Sequence, residues 1–107
     1  MMTLKTSRVY HDSRLLRCEW MHECDLVLTF DLDGHWNGGN SIEASVMFSR
    51  VRNRGAVDEF LRSLRQRGSD GECLADVIAV TRERDRSFVV DTSLGALVIE
   101  AARFSEI

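Results

Sequence analysis

The chain is 107 residues long, the length of one domain, and its formal charge is −3. Hydrophobic residues make up 44% and charged residues 29%, a globular balance that excludes disordered and collagen-like chains. No apolar run approaches the roughly 18 residues of a membrane-spanning helix, and the opening MMTLKTSRVYHDS lacks the apolar core of a secretory signal, so a cytoplasmic protein is expected.

The charge is unevenly distributed. Residues 1–49 carry four bases and seven acids, residues 50–86 nine and seven, and residues 87–107 one and three. Thirteen of the fourteen bases are arginine, a bias that a GC-rich coding sequence produces without any function. Cys18, Cys24 and Cys73 are odd in number and form no C-x-x-C pair, which argues against a disulfide framework or a zinc ribbon.

Alternation begins at Leu15, where Leu16, Cys18 and Trp20 are expected on one face of a strand over 15–22. Leu26, Leu28, Phe30 and Leu32 then alternate with Val27, Thr29, Asp31 and Asp33. That period of two predicts a strand over 25–33 with a core face and a solvent face. Asp33-Gly34-His35-Trp36-Asn37-Gly38-Gly39-Asn40 is rich in residues that adopt positive φ and reads as a loop. Ile42, Ala44, Val46 and Phe48 predict a third strand over 41–51.

The period then changes. Val57, Phe60, Leu61 and Leu64 stand at i, i+3, i+4 and i+7 and predict an amphipathic helix over about 56–67. Asp58 and Glu59 are expected in its first turn and Gly68 at its C-terminal cap, followed by a loop at 68–71. Residues 75–82, 87–91 and 95–103 read as three further strands. The order βββ-α-βββ implies a single α+β domain over 1–107, with a mainly antiparallel six-stranded sheet and one helix packed on it.

Few residues arrange themselves for chemistry. His22-Glu23-Cys24-Asp25 offers metal-ligand types, but neighbouring strand residues point to opposite faces and no second cluster completes a site. Asp31-Leu32-Asp33-Gly34 is not a calcium loop, because its glycine comes two positions early and the twelfth position is Ile42. No G-x-S-x-G, P-loop or G-x-G-x-x-G is present, so no catalytic residue, metal or cofactor is assigned and an enzyme is disfavoured. Arg50, Arg52 and Arg54 alternate, as do Arg82, Arg84 and Arg86. Adjacent strand ends would make them an anion-binding stripe, and neighbouring acids would reduce them to solvated surface pairs. The second reading is preferred, and no aromatic interleaving supports a nucleic-acid binder.

Tyr10-His11-Asp12-Ser13, followed by Leu15-Leu16 and the Leu26–Leu32 strand, resembles a loose group of small bacterial β-rich domains. That group opens with an aromatic-His-Asp-Ser/Ala element and includes immunity proteins of polymorphic toxin systems. Phe88 through Ala101 is similar to its closing hairpin. The resemblance implies a stand-alone protein-binding domain without a cofactor, in which His11 and Asp12 are structural. On this reading an acidic face of Asp25, Asp31, Asp33 and Glu43 meets a basic partner, with Trp36 as a contact anchor. A small enzyme or ligand-binding domain would instead place a pocket near His11, Asp12, His22 and Trp36. A homodimer through Val27, Met47, Val89 and Val98 is a further expectation.

Overall fold

The computed structural model describes residues 4–67 and 74–107. In chain order it contains β1 (Ser13–Met21), β2 (Asp25–Leu32), β3 (Ile42–Ser49), α1 (Arg54–Arg67), β4 (Ala75–Arg84), β5 (Ser87–Thr92), β6 (Gly95–Glu100) and β7 (Arg103–Glu106). Among the described residues the seven strands form one sheet of order β6-β5-β4-β1-β2-β3-β7, and every pairing is antiparallel. The α+β class and the βββ-α-β order follow the sequence pattern. The strand count does not.

The seventh strand arises at Ala101-Ala102. The predicted strand over 95–103 is interrupted there, because the Ala101 N–H donates to Arg86 O at 3.0 Å and the Ala102 N–H to Ser49 O at 2.9 Å. Two successive amides thus bond to different strand ends, and the chain crosses from one edge of the sheet to the other. The sheet must therefore coil. Its coiling is measurable: β3 and β5 are four places apart, about 19 Å in a flat sheet at about 4.8 Å per strand, yet the Phe48 and Phe88 rings meet at 5.5 Å.

Leu26, Leu28, Phe30 and Leu32 all project into this coiled interior and are fully buried. Val46, Phe48, Val77, Val90, Leu97 and Ile99 face them from the other strands. In β1 the pattern shifts. A bulge between Leu15 and Arg17 inserts Leu16 as an extra residue, so Leu15 is buried and Leu16 only half-buried. Beyond this point β1 leaves β4, with which it pairs only over Ser13–Leu15.

The helix begins at Arg54, two residues before the predicted start, and no acid stands in its first turn. Asp58 lies one turn later and holds Arg54 at 3.6 Å and the Trp20 indole N–H at 2.7 Å. Val57, Leu61 and Leu64 are buried, and Phe60 packs on the β5–β6 turn, where Gly95 has φ +133° and a Cβ would lie 3.3 Å from the ring. The positive φ favours glycine there, and a side chain would also oblige the Phe60 ring to give by a few tenths of an ångström. The expected cap at Gly68, the 68–71 loop and Cys73 lie outside the described residues.

Both sheet edges are covered. On β6, the Asn53 amide donates to Val98 O at 2.8 Å and accepts from Glu100 N at 2.9 Å, while Arg52 N donates to Glu100 O at 2.7 Å. One side chain thereby takes the place of a neighbouring strand on an exposed edge. On β7, Glu106 accepts from Ser7 N at 2.6 Å, from the Ser7 hydroxyl at 3.0 Å and from the Tyr10 hydroxyl at 2.7 Å. Burial raises the Glu106 pKa, but these hydrogen bonds and nearby Arg8 outweigh it and hold the carboxyl below the usual glutamate range. Burial, reinforced by Glu106, pushes the Tyr10 phenol far above its ordinary value.

Asn53→Ala removes two hydrogen bonds from the β6 edge, and urea unfolding is expected to show a loss of about 1–3 kcal/mol. The lowered carboxyl of Glu106 contributes stability that is present above the unfolded pKa of about 4.3 and lost as pH falls through the folded value. Glu106→Gln is therefore expected to lower the melting temperature at neutral pH, and the gap to the unmodified protein should close on acidification. A gap that persists at the acid limit would show that the charge of Glu106 is not its source.

Candidate functional site

The residues singled out around His11 and Trp36 meet at one end of the sheet, where β1, β3 and β4 begin and β2 ends. The approach to β1 is a tight turn in which the Ser13 N–H and hydroxyl both donate to Tyr10 O, at 3.2 and 2.6 Å. This turn sets Asp12 at φ +62°, a conformation aspartate tolerates better than most residues. His11 reaches β4 and makes a 2.9 Å hydrogen bond through Nδ1 to the carbonyl of Ile78. A carbonyl only accepts, so Nδ1 carries the hydrogen. The other ring nitrogen lies 3.4 Å from Asp12 Oδ2, an ion pair whenever the ring is protonated.

The β2–β3 loop supplies the tryptophan. Asp33 Oδ1 accepts from His35 N at 2.7 Å, and Gly39 N donates to Gly34 O at 2.7 Å. A Cβ on Gly34 would lie 2.8 Å from the Asn40 backbone, so the loop closes only with glycine at this position. Asn37 bonds both N–H and C=O of Val9, at 3.0 and 2.9 Å, and ties the loop to the N-terminal segment. Trp36 thereby stands edge-to-face between His11 and His35, with ring centroids 5.5 and 5.0 Å away, and its indole N–H donates to Asp12 Oδ2 at 3.2 Å. It remains 46% exposed.

Beside it lies a cleft of about 340 Å³ lined by Asp12, Arg14, Asp31, Leu32, Asp33, Gly34, Ser41 and Asp76. Arg14 stands opposite Asp31 on β2 and Asp76 on β4, and its guanidinium bonds Asp31 at 2.5 Å. One arginine thus faces four carboxylates, and the cleft is acidic. Among the described residues no three His, Cys, Asp or Glu side chains are grouped so as to hold a metal ion.

The other singled-out residues are dispersed. His22 occupies the β1–β2 turn, separated from Asp12 by the nine residues of β1, about 30 Å of strand. The pocket expected near His11, Asp12, His22 and Trp36 therefore forms without His22. The acidic face is partly neutralised and divided: Glu43 pairs with Arg17, Asp31 with Arg14, and Asp25 sits at the far end of β2, accepting Arg50 N at 3.0 Å. The two arginine triplets are not flat stripes. Arg50 leaves β3 at φ +56°, Arg86 turns at φ +64°, and Arg54 is helical, stacking 4.3 Å over the Trp20 ring. Val27 is opposite Met47 and Val89 opposite Val98, but Val27 is buried and only Val98 is exposed, so these residues do not form one apolar surface.

Asp76, Arg14 and Ser41 escaped sequence reasoning. Asp76 alone carried a signal, as the one acid in the otherwise apolar run 75–80. A second cavity of about 200 Å³, between β1 and α1, is lined by Cys18, Trp20, Asp58, Leu61, Arg62 and Arg65. Burial pushes the Cys18 thiol up despite the Arg65 guanidinium 3.3 Å from its sulfur. This thiol is held protonated, the opposite of what a nucleophile needs.

Compared with protein-family models, curated proteins and solved structures, the chain matches none.

Asp12→Ala is expected to strain the backbone by about 1–2 kcal/mol at its positive φ and to release the indole. In a Trp20→Phe background, tryptophan emission should shift to the red, whereas Asp12→Asn, which keeps an acceptor and tolerates the conformation, should leave it unchanged.

Proposed function

We propose that this chain is a non-enzymatic protein-binding domain, of accessory or immunity type, that receives a basic surface of its partner at the Asp12–Trp36 end of the sheet. The supporting observation is a single juxtaposition. An exposed tryptophan, fixed by Asp12, His11 and His35, stands beside a cleft whose wall carries Asp12, Asp31, Asp33 and Asp76 against one arginine. An ordered aromatic binds at low entropic cost and anchors interfaces well. The surrounding carboxylates attract lysine and arginine and raise the rate of encounter. The volume of about 340 Å³ admits one or two such side chains rather than a large cofactor.

Within this reading the acidic face is recentred. Asp31 and Asp33 remain, Asp12 and Asp76 join them, and Asp25 and Glu43 drop out because of their position and pairing. Of the residues expected in a homodimer contact, Val98 is exposed, Met47 and Val89 are half-buried, and Val27 is buried and offers no surface.

The test is co-expression with a basic protein encoded beside this one. A stable complex is expected, with Trp36→Ala weakening it about thirtyfold or more, as for a central anchor of about 2 kcal/mol. Asp33→Asn with Asp76→Asn should slow association and flatten its salt dependence. A complex indifferent to all three changes would place the interface elsewhere and end this proposal.

A further inference from the structure

The opposite end of the sheet carries the reverse charge. Ala101-Ala102 is bonded there to Arg86 O and Ser49 O, and Arg52 N to Glu100 O, so the backbones of Arg50, Arg52, Arg86 and Arg103 converge on one corner. Arg82 and Arg84 arrive with the end of β4. Arg82 pairs with Asp85 at 2.7 Å. Among the described residues, no carboxylate lies within ion-pair distance of the Arg50, Arg52, Arg84, Arg86 or Arg103 guanidinium, although Asp25, Glu83, Asp85 and Glu100 share this end and Asp25 accepts the Arg50 backbone N–H at 3.0 Å. The bland outcome anticipated for these arginines, neutralisation by neighbouring acids, holds for Arg54 and Arg82 alone.

The corner also contains a recess. Leu4, Arg82, Phe88, Ala102, Arg103 and Phe104 line a cavity of about 180 Å³. Arg82 stands opposite Phe88 in the sheet register and so projects toward the core face. Its Nε is buried and has no hydrogen-bond partner, although its Nη2 bonds Asp85 at the surface. A buried N–H without an acceptor is costly, so a shift of the guanidinium that brought Nε to an oxygen atom in the recess would be favourable. Phe88 and Phe104 pack on each other at 5.9 Å and give the recess an apolar wall that strengthens charge interactions.

We infer that this recess is a binding site for a single phosphate group, free or as a monoester, held by Arg82 and Arg103 in the field of the surrounding arginines. The volume excludes a drug-sized ligand and suits one compact group. Two guanidiniums offer ten N–H donors in planar forks, more than a carboxylate's two oxygens can use, and the unpaired charge favours a dianion. This site is distinct from the acidic cleft: their members on β4, Arg82 and Asp76, stand six residues apart, about 20 Å of strand.

The test is titration of the full chain with inorganic phosphate, followed by backbone amide shifts, with chloride at matched ionic strength as the baseline. Saturable shifts are expected at residues 82, 88, 103 and 104, weakened about tenfold or more by Arg103→Ala, an exposed residue whose loss leaves the core intact. Arg82→Lys keeps a charge but removes the Nε donor, and should weaken binding similarly. Absence of saturable shifts, equal binding of acetate, or binding that survives Arg103→Ala would overturn the assignment. A short single-stranded oligonucleotide that binds more tightly than phosphate, with a salt slope of several phosphates, would overturn it in favour of an extended nucleic-acid backbone.

Discussion

Ala101-Ala102 imposes the constraint on which the molecule depends. It joins the first and last strands of the sheet order, β6 and β7, across two residues. Such a short link forbids a flat sheet. The sheet coils until Phe48, Phe88 and Phe104 meet, and the core-facing side chains of every strand then share one interior. Helix α1 fills the remaining opening, against β1 through Trp20 and Asp58 and against the β5–β6 turn through Phe60 and Gly95. The two edges that coiling leaves unpaired are covered by Asn53 and by the N-terminal segment.

Coiling also sorts the loops into two groups, one at each end of the strands, and with them the charge. Asp12, Asp31, Asp33 and Asp76 gather where β1 and β4 begin. Arg50, Arg52, Arg82, Arg84, Arg86 and Arg103 gather where β3 and β4 finish. A chain with a formal charge of −3 thus presents two faces of opposite sign. Its net charge says little about its partners, because the field at each end is set by local groups within about a Debye length, roughly 8 Å at physiological salt. The geometry of the Trp36 cleft supports the proposal of a partner with a basic surface.

Backbone irregularities place most of the side chains at both ends. Asp12 and Arg86 have positive φ. The bulge at Leu16 lies where β4 begins and its pairing with β1 stops, next to the cavity over Cys18. A second irregularity, between Val77 and Ala79, occurs beside Ile78, whose carbonyl receives His11. Each departs from regular pairing by one residue, and each re-aims the chain where a polar side chain must reach a neighbour.

The sequence alone determined the strands of period two, Leu26–Leu32 and Ala44–Phe48, and the helical stripe of Val57, Leu61 and Leu64, although Ile42 is exposed and Val27 and Thr29, on the expected solvent face of β2, are buried as well. In each, the side chains that must leave water repeat at the period of the element itself. It also marked Trp36 through the Gly/Asn-rich composition of its loop, whereas His11 and Asp12 stand out through the aromatic-His-Asp-Ser resemblance. Only the tertiary structure decided that His22 stands apart from them, that Asp76 and Arg14 complete the cleft, and that residues 95–106 form two strands at opposite edges. Those outcomes rest on hydrogen bonds between residues far apart in the chain, such as Ala102 to Ser49 and Ala101 to Arg86. A local pattern of polarity records which side chains are buried, but it does not record which backbone group will lie opposite once the sheet has closed.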